Sequence, residues 1–351
     1  MTAGGLSQGG LILASGSYDH TIRFWHPETT ECLHTAQHND SQVNAMTISM
    51  DGTQLAAAGY QHIRVYDPAS ASQQPVLNFE GVQKNVTAVG FANDGRWMFT
   101  GGEDCSAKIW DTRVRNLQCQ RIFQVNSTVN SVCLHPNQVE LIVGDSNGIL
   151  YMWDLRSDHN DQITLNETFS ESVQHVHIDQ EGTMAAAVTN KGFVYVGSLV
   201  GSRGSEPALD SSGQFKSSSL QPKLKFPAHA KYATRCAFSP DSTLLCTASA
   251  DQTAKLWRTA DYQLFQTLKQ TPPPVMQQPG ERAAAGGSSS QHGQAQESRS
   301  SSSSGGPQQP INSDGSLRCW DVNTGRQLRR YDGHTKAVTA LAFRDLSQPT
   351  E

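Results

Sequence analysis

The chain has 351 residues, a net charge of -5, 36% hydrophobic residues and a mean hydropathy of -0.48. Lys and Arg are interspersed, which argues against nucleic acid as a partner, and no run approaches the roughly 18 apolar residues of a membrane span, which argues against membrane insertion. The opening MTAGGLSQGG lacks the basic and apolar regions of a secretory signal, and seven cysteines without CxxC spacing fit buried thiols in a reducing, cytoplasmic setting better than disulfides or zinc.

From the N-terminus, residues 1–10 read as a flexible lead. Leu11–Ser15 and Ile22–Trp25 then read as a second and a third strand with no first strand before them. Trp25 opens a lattice. Trp25, Trp110, Trp153, Trp257 and Trp320 each stand six residues after a turn former: Asp19, Asp104, Asn147, Asp251 and Asp314. Tyr66 and Val196 fill the gaps, giving spacings of 41, 44, 43, 43, 61 and 63. A period near 43 residues is the mark of a propeller blade, one four-stranded sheet per repeat. The expected fold is all-β, a seven-bladed WD-repeat β-propeller, with blades one to six over residues 11–269 and a polar loop at 197–222. Trp110-Asp111, Trp153-Asp154 and Trp320-Asp321 are WD-type dipeptides ending third strands. The sequons at Asn85, Asn126 and Asn166 are ascribed to composition.

Blade six is the cleanest repeat. Thr234–Phe238 alternates as an inner strand, and Leu244–Ser249, Ala254–Trp257 and Leu264–Leu268 follow as second, third and outer strands. His229, Ser249 or Thr247, Asp251 and Trp257 match a hydrogen-bonded tetrad. Its Asp, His and hydroxyl are not read as a hydrolase triad, because the next partner is an indole N–H, which only donates. No GxSxG elbow, phosphate loop or HExxH occurs, and neither a cofactor nor a metal site is expected.

Beyond blade six the pattern breaks. An apolar residue stands 18 or 19 positions before each lattice site (Ile48, Phe91, Leu134, Ile178, Phe238), but for Trp320 this position falls in SRSSSSSGG. Residues 270–310 hold almost no large apolar side chain and are expected to be disordered. Residues 311–345 then supply a third and a fourth strand of blade seven, Ser316–Trp320 and Gln327–Tyr331, and a closing strand of blade one, Ala337–Phe343; 346–351 are a tail. The closing strand is expected to pair with the N-terminal segment and to bring His334 to Asp19, Trp25 and one of Ser15 or Ser17. Either the ring tolerates a half-blade, or the sequence derives from an altered transcript or gene model.

The wording between lattice points is more specific than a generic WD repeat. QHNDSQVNAM, AAAGYQHIRVYD, DGRWMFTGGEDCSAKIWD, CLHPNQVELIVGD and FSPDSTLLCTASADQTAKLWRT resemble the target of rapamycin (TOR) complex subunits called lethal with Sec thirteen protein eight, over about Leu11–Leu268 and again from Asp314 to Phe343. The resemblance implies a non-catalytic propeller that docks on the TOR kinase domain alongside other subunits of both TOR complexes. It implies a partner-binding role for Gln42 and Asn44, whereas the family's aromatic-rich inner strand of blade seven is replaced by the Ser/Gln tract. Strand-start positions on the same rim add Asn130, Tyr232 and Lys336 as partner-binding candidates. The competing readings are a generic WD scaffold and a propeller hydrolase, which would need carboxylates or Asn side chains converging on a metal.

Overall fold

Strand-forming alternation interrupted by Asp/Asn/Gly turns leaves each repeat able to form only a short antiparallel meander, and a meander with two apolar faces is stable only between two others. The computed structural model describes residues 11–70, 72–79, 82–113, 119–165, 170–201, 218–269 and 314–345. In chain order the strands are β1 (Leu11–Ser17), β2 (Thr21–Trp25), β3 (Cys32–Gln37), β4 (Ala45–Ile48), β5 (Leu55–Ala58), β6 (Ile63–Tyr66) and β7 (Leu77–Phe79). Next come β8 (Val86–Phe91), β9 (Trp97–Gly102), β10 (Ser106–Asp111), β11 (Cys119–Gln124), β12 (Val129–Leu134), β13 (Glu140–Asp145), β14 (Ile149–Asp154) and β15 (Asn160–Thr164). They continue with β16 (Val173–Ile178), β17 (Met184–Thr189), β18 (Phe193–Val200), β19 (Ser219–Pro227), β20 (Ala233–Phe238), β21 (Leu244–Ser249), β22 (Thr253–Arg258) and β23 (Leu264–Lys269). The last are β24 (Leu317–Trp320), β25 (Gln327–Tyr331) and β26 (Val338–Asp345). No helix occurs among the described residues.

These strands make six four-stranded sheets and one two-stranded sheet, β24–β25. The first sheet has the order β26–β1–β2–β3, so the last strand is the innermost strand of the first sheet. The inner strands β26, β4, β8, β12, β16 and β20 pack neighbour against neighbour. The buried clusters lie between sheets: Ala340 and Ala342 join Ile12, Phe24, Val43 and Met46, while Trp25 joins Leu317, Tyr331 and Val338.

The two-stranded sheet is anchored on the first sheet. Trp25 packs edge-on against Tyr331 at 5.8 Å, and the Tyr331 hydroxyl donates to the Pro27 carbonyl at 2.7 Å. A Cβ on Gly315 (φ 68) would meet the His334 carbonyl at 2.4 Å, as one on Gly192 (φ 79) would meet the His229 carbonyl at 2.3 Å. Only glycine tolerates both the left-handed backbone and the contact. The β24 turn thus touches the first sheet as the β17–β18 turn touches the sixth.

Two expectations need correction. The loop placed at 197–222 is shorter, because β18 and β19 run on through Gly197–Val200 and Ser219–Pro222, with Gly197 opposite Pro222 and Val200 opposite Ser219. Leu199 and Leu220 still alternate toward an apolar face, which keeps the hairpin paired despite its polar sequence. The thiols are free but not all buried: Cys32 is exposed, whereas burial pushes Cys133 and Cys246 up to about 11. The expected disorder of 270–310, the flexible lead 1–10 and the tail 346–351 lie outside the described residues.

The closing strand separates two faces, with Ala342 buried and Leu341 57% exposed. Ala342→Asp should therefore lower unfolding stability by at least about 3 kcal/mol, the cost of an uncompensated buried charge. Leu341→Asp should change it by about 0.5 kcal/mol or less. Urea denaturation of both variants measures the difference.

Candidate interaction surface

Two hydrogen-bonded tetrads tie turns to sheets. In the sixth sheet the Trp257 indole donates to Thr247 Oγ1 at 2.9 Å, His229 Nε2 lies 2.9 Å from that oxygen, and His229 Nδ1 lies 2.9 Å from Asp251 Oδ2. The indole can only donate and the carboxylate only accept, so the protons run one way: indole to hydroxyl, hydroxyl to Nε2, Nδ1–H to carboxylate. In the first sheet Trp25, Ser15, His334 and Asp19 repeat the chain at 2.8, 2.7 and 2.9 Å. Here His334 and Asp19 come from opposite ends of the sequence, and Ser15 supplies the hydroxyl. Ser17 instead donates to the Lys336 carbonyl.

Of the two hydroxyls that the sequence offered for the sixth-sheet tetrad, Thr247 takes part and Ser249 does not. The Ser249 hydroxyl donates to the Tyr232 carbonyl at 2.9 Å and accepts from Asp251 N–H. The reason is register: Thr247 stands opposite Lys255 at mid-strand, within reach of Trp257, whereas Ser249 ends its strand against Ala233. A signal was available. The hydroxyl stands ten residues before the Trp in Ser15–Trp25, Thr100–Trp110 and Thr247–Trp257. The same offset from Trp153 reaches Val143, and Trp153 bonds Asp158 instead.

The rim candidates divide into two kinds. Asn130 is buried, its amide donating to the Val173 carbonyl of the next sheet at 2.7 Å and to Ser172 Oγ at 3.1 Å. Asn44 likewise reaches the Val86 carbonyl at 3.2 Å. Thr87 donates to the Val129 carbonyl at 2.6 Å, and Thr339 donates to the Val43 carbonyl. Four successive sheet-to-sheet joints are closed in this way, from the first sheet to the fifth. Thr87, Asn130 and Thr339 are each skipped in the strand pairing, and such a bulge turns a side chain out of its own ladder. Beyond the fifth sheet the pattern changes: Gln174 turns to Ser172 and Thr234 bonds Ala248 within its own sheet, while His175 and His177 accept from the Cys236 and Phe238 N–H groups of the sixth sheet. Asn44 and Asn130 thus hold sheets together, a role the sequence reading missed. Its trace is the polar residue that follows Val43, Val86, Val129, Val173, Ala233 and Val338.

The other three candidates lie where the ring closes. Lys336 is exposed, and Gln42 and Tyr232 are half-buried. Ser17 connects two of these positions, donating to the Lys336 carbonyl while its own carbonyl accepts from Val43 N–H, next to Gln42. Tyr18 follows directly, and its phenol is pushed up by burial and then by the nearby Tyr232. Gln42 and Lys336 thus flank Ser17, and Tyr232, just before β20, acts electrostatically on the adjacent Tyr18, while Asn130 belongs to the fourth sheet.

Known proteins carry the same architecture. WD domain, G-beta repeat models match residues 4–26, 30–67, 73–111, 117–154 and 220–258. The target of rapamycin complex subunit LST8 of Bos taurus is 49% identical over 335 residues, covering 95% of each chain. The chain belongs to the LST8 family of WD-repeat β-propellers. The LST8 homolog of Drosophila melanogaster is 42% identical over 95% of this chain and 96% of its own, and the Saccharomyces cerevisiae subunit is 39% identical over 74% and 80%. A chain in the crystal structure of the mitotic checkpoint complex shares the fold, with a TM-score of 0.59, 18% identity and 71% of each chain covered. Among the described residues no group of three His, Cys, Asp or Glu side chains is positioned for a metal.

The tetrads set two testable dependences. Thr247→Val leaves the Trp257 and His229 nitrogens unpaired and should cost about 1–3 kcal/mol, more than Ser249→Ala, as read by denaturant midpoints. The second dependence is on pH. Burial holds His229 and His334 below the ordinary imidazole range despite their Asp partners, and burial with Arg64 nearby lowers His38 to about 3. The unfolded chain takes up protons near pH 6.5 that the folded chain refuses, so stability is full above that value and falls as pH drops toward the folded values. Burial opposes ionisation of Asp19 and Asp251, but bonds led by Thr21 and by Thr253 outweigh it and lower both pKa values. Their contribution persists to about pH 4 and is lost below it. Calorimetry should therefore show Tm falling between about pH 6.5 and 4, with a second decline below about pH 4.

Proposed function

We propose that this chain is a non-catalytic interaction subunit that docks on the kinase domain of a TOR-family kinase and stabilises it within TOR complexes in the cytoplasm. The observation that carries the proposal is the 49% identity, over 95% of both chains, to a protein named as a target of rapamycin complex subunit. A ring of packed sheets with fixed turns offers a preorganised surface, and preorganisation limits the ordering cost of association. Gln42, Tyr232 and Lys336 form the proposed contact, while Asn44 and Asn130 keep the rim in shape beneath it.

We also read β24–β25 as the outer half of a seventh blade. In support, its Gly315 turn meets the first sheet as the Gly192 turn meets the sixth, and a Cβ on Gly325 would reach Gln266 of the sixth sheet. The sheet therefore touches both neighbours that a seventh blade would have.

Affinity purification of the tagged full-length chain from cell extract, read by mass spectrometry, should recover a TOR-family kinase. The proposal fails if the bovine relative recovers the kinase under the same conditions and this chain does not. Gln42→Glu combined with Lys336→Glu should reduce recovery several-fold while leaving Tm nearly unchanged, as expected of surface positions. Asn130→Ala should lower Tm, because it leaves the Val173 carbonyl unpaired.

A further inference from the structure

Between the fourth and fifth sheets lies a cavity of about 290 Å³. Its floor consists of small residues. Ala185 and Ala187 of β17 both face the fourth sheet, and Gly197 of β18 adds no side chain beside them. The facing wall is formed by Ile163 and Leu165, at the outer edge of the fourth sheet, and Leu150 lies deeper. An ordered water needs two to four polar partners. The polar groups here are few: Thr164 carries a hydroxyl, and the Tyr195 hydroxyl is already 2.9 Å from Glu171. A mostly apolar hollow of this size leaves its lining short of dispersion partners, and an apolar occupant would supply them.

The mouth of the cavity is basic. It lies along the outer strand β19, where Lys223, Leu224 and Lys225 are exposed. Lys225 is balanced by Glu171 at 2.9 Å and stacks over the Tyr195 ring at 4.7 Å. Lys223 differs. The pairing passes from Val196↔Leu224 to Gly197↔Pro222, so Lys223 is the extra residue of a bulge. It lines the cavity, and no carboxylate lies within ion-pair distance of it among the described residues. A few placed polar groups at the edge of an apolar hollow of about 300 Å³ is the common form of a small-molecule site.

We propose that this cavity binds a medium-length aliphatic chain ending in an anionic group, with the chain between Ala185/Ala187 and Ile163/Leu165 and the head on the Lys223 ammonium. The site shares no residue with Gln42, Tyr232 and Lys336, so the inference does not rest on kinase docking. The aliphatic lining selects the chain and the Lys223 ammonium selects the sign of the head.

The probe is decanoate, titrated below its micelle concentration into the full-length chain and followed by calorimetry and thermal shift, with decanol and decyltrimethylammonium as comparison ligands. Decanoate should bind at one site, raise Tm, and bind at least about tenfold more tightly than decyltrimethylammonium, one decade being 1.4 kcal/mol. Ala187→Leu fills the hollow and should abolish binding without lowering Tm, and Lys223→Glu should weaken decanoate about tenfold while leaving decanol unchanged. Circular dichroism of both variants checks that they fold; if Ala187→Leu unfolds, Ala185→Val replaces it. Failure of decanoate to bind, or equal binding by wild type and the filled variant, overturns the site. Equal affinity for the cationic ligand overturns the role of Lys223.

Discussion

Closure by β26 is the constraint on which the rest of the ring depends. Seven of its residues pair with β1, from Leu11 opposite Asp345 to Ser17 opposite Val338, so the last segment of the chain becomes the inner strand of the first sheet. Without it β1 would be an open inner edge, the kind of edge that invites pairing with other chains. Closure also completes the Trp25–Ser15–His334–Asp19 tetrad and starts the series of joints at Thr339. Sheet pairing, a buried polar network and an intersheet joint therefore all depend on the same eight-residue strand.

The joints explain how sheets that share no backbone ladder stay in register. A bulge costs one ladder position, but it frees a polar side chain to reach the neighbouring carbonyl at the same height in the ring. Four bonds of this kind, three of them at bulges and the fourth from Asn44 just before β4, run from the first sheet to the fifth. Asn and Thr at these positions serve the scaffold, and the surface offered to a partner is built from their neighbours. An Asn at a strand start is a surface residue by composition alone; Asn130 is buried because the adjacent sheet covers it.

The tetrads show the same division between type and position. Asp, His, a hydroxyl and Trp are all visible as residue types at repeating distances. Which hydroxyl takes part is a matter of reach across a strand pair, and Thr247 rather than Ser249 meets Trp257. Burial then sets the chemistry of the group: it pushes the His229 imidazole below its ordinary range despite the neighbouring carboxylate and so favours its neutral form.

From the sequence alone, the period near 43 residues determined the repeat architecture, because each Asp-turn-Trp unit encodes one meander locally. The strands of the sixth sheet and the Leu317–Trp320 and Gln327–Tyr331 pair were legible within a residue or two for the same reason. The wording between lattice points also carried the family, over nearly the whole chain. The pairing of His334 with Asp19 was legible because one end of the chain lacked a first strand and the other lacked a second. Contacts between sheets were decided only by tertiary structure: the joints at Asn44 and Asn130, the grouping around Ser17 and Tyr18, and the hollow above Ala185 and Ala187. None of these joins residues within one repeat, so no local pattern specifies them; they arise when two sheets are laid face to face and their side chains must fill, or fail to fill, the space between.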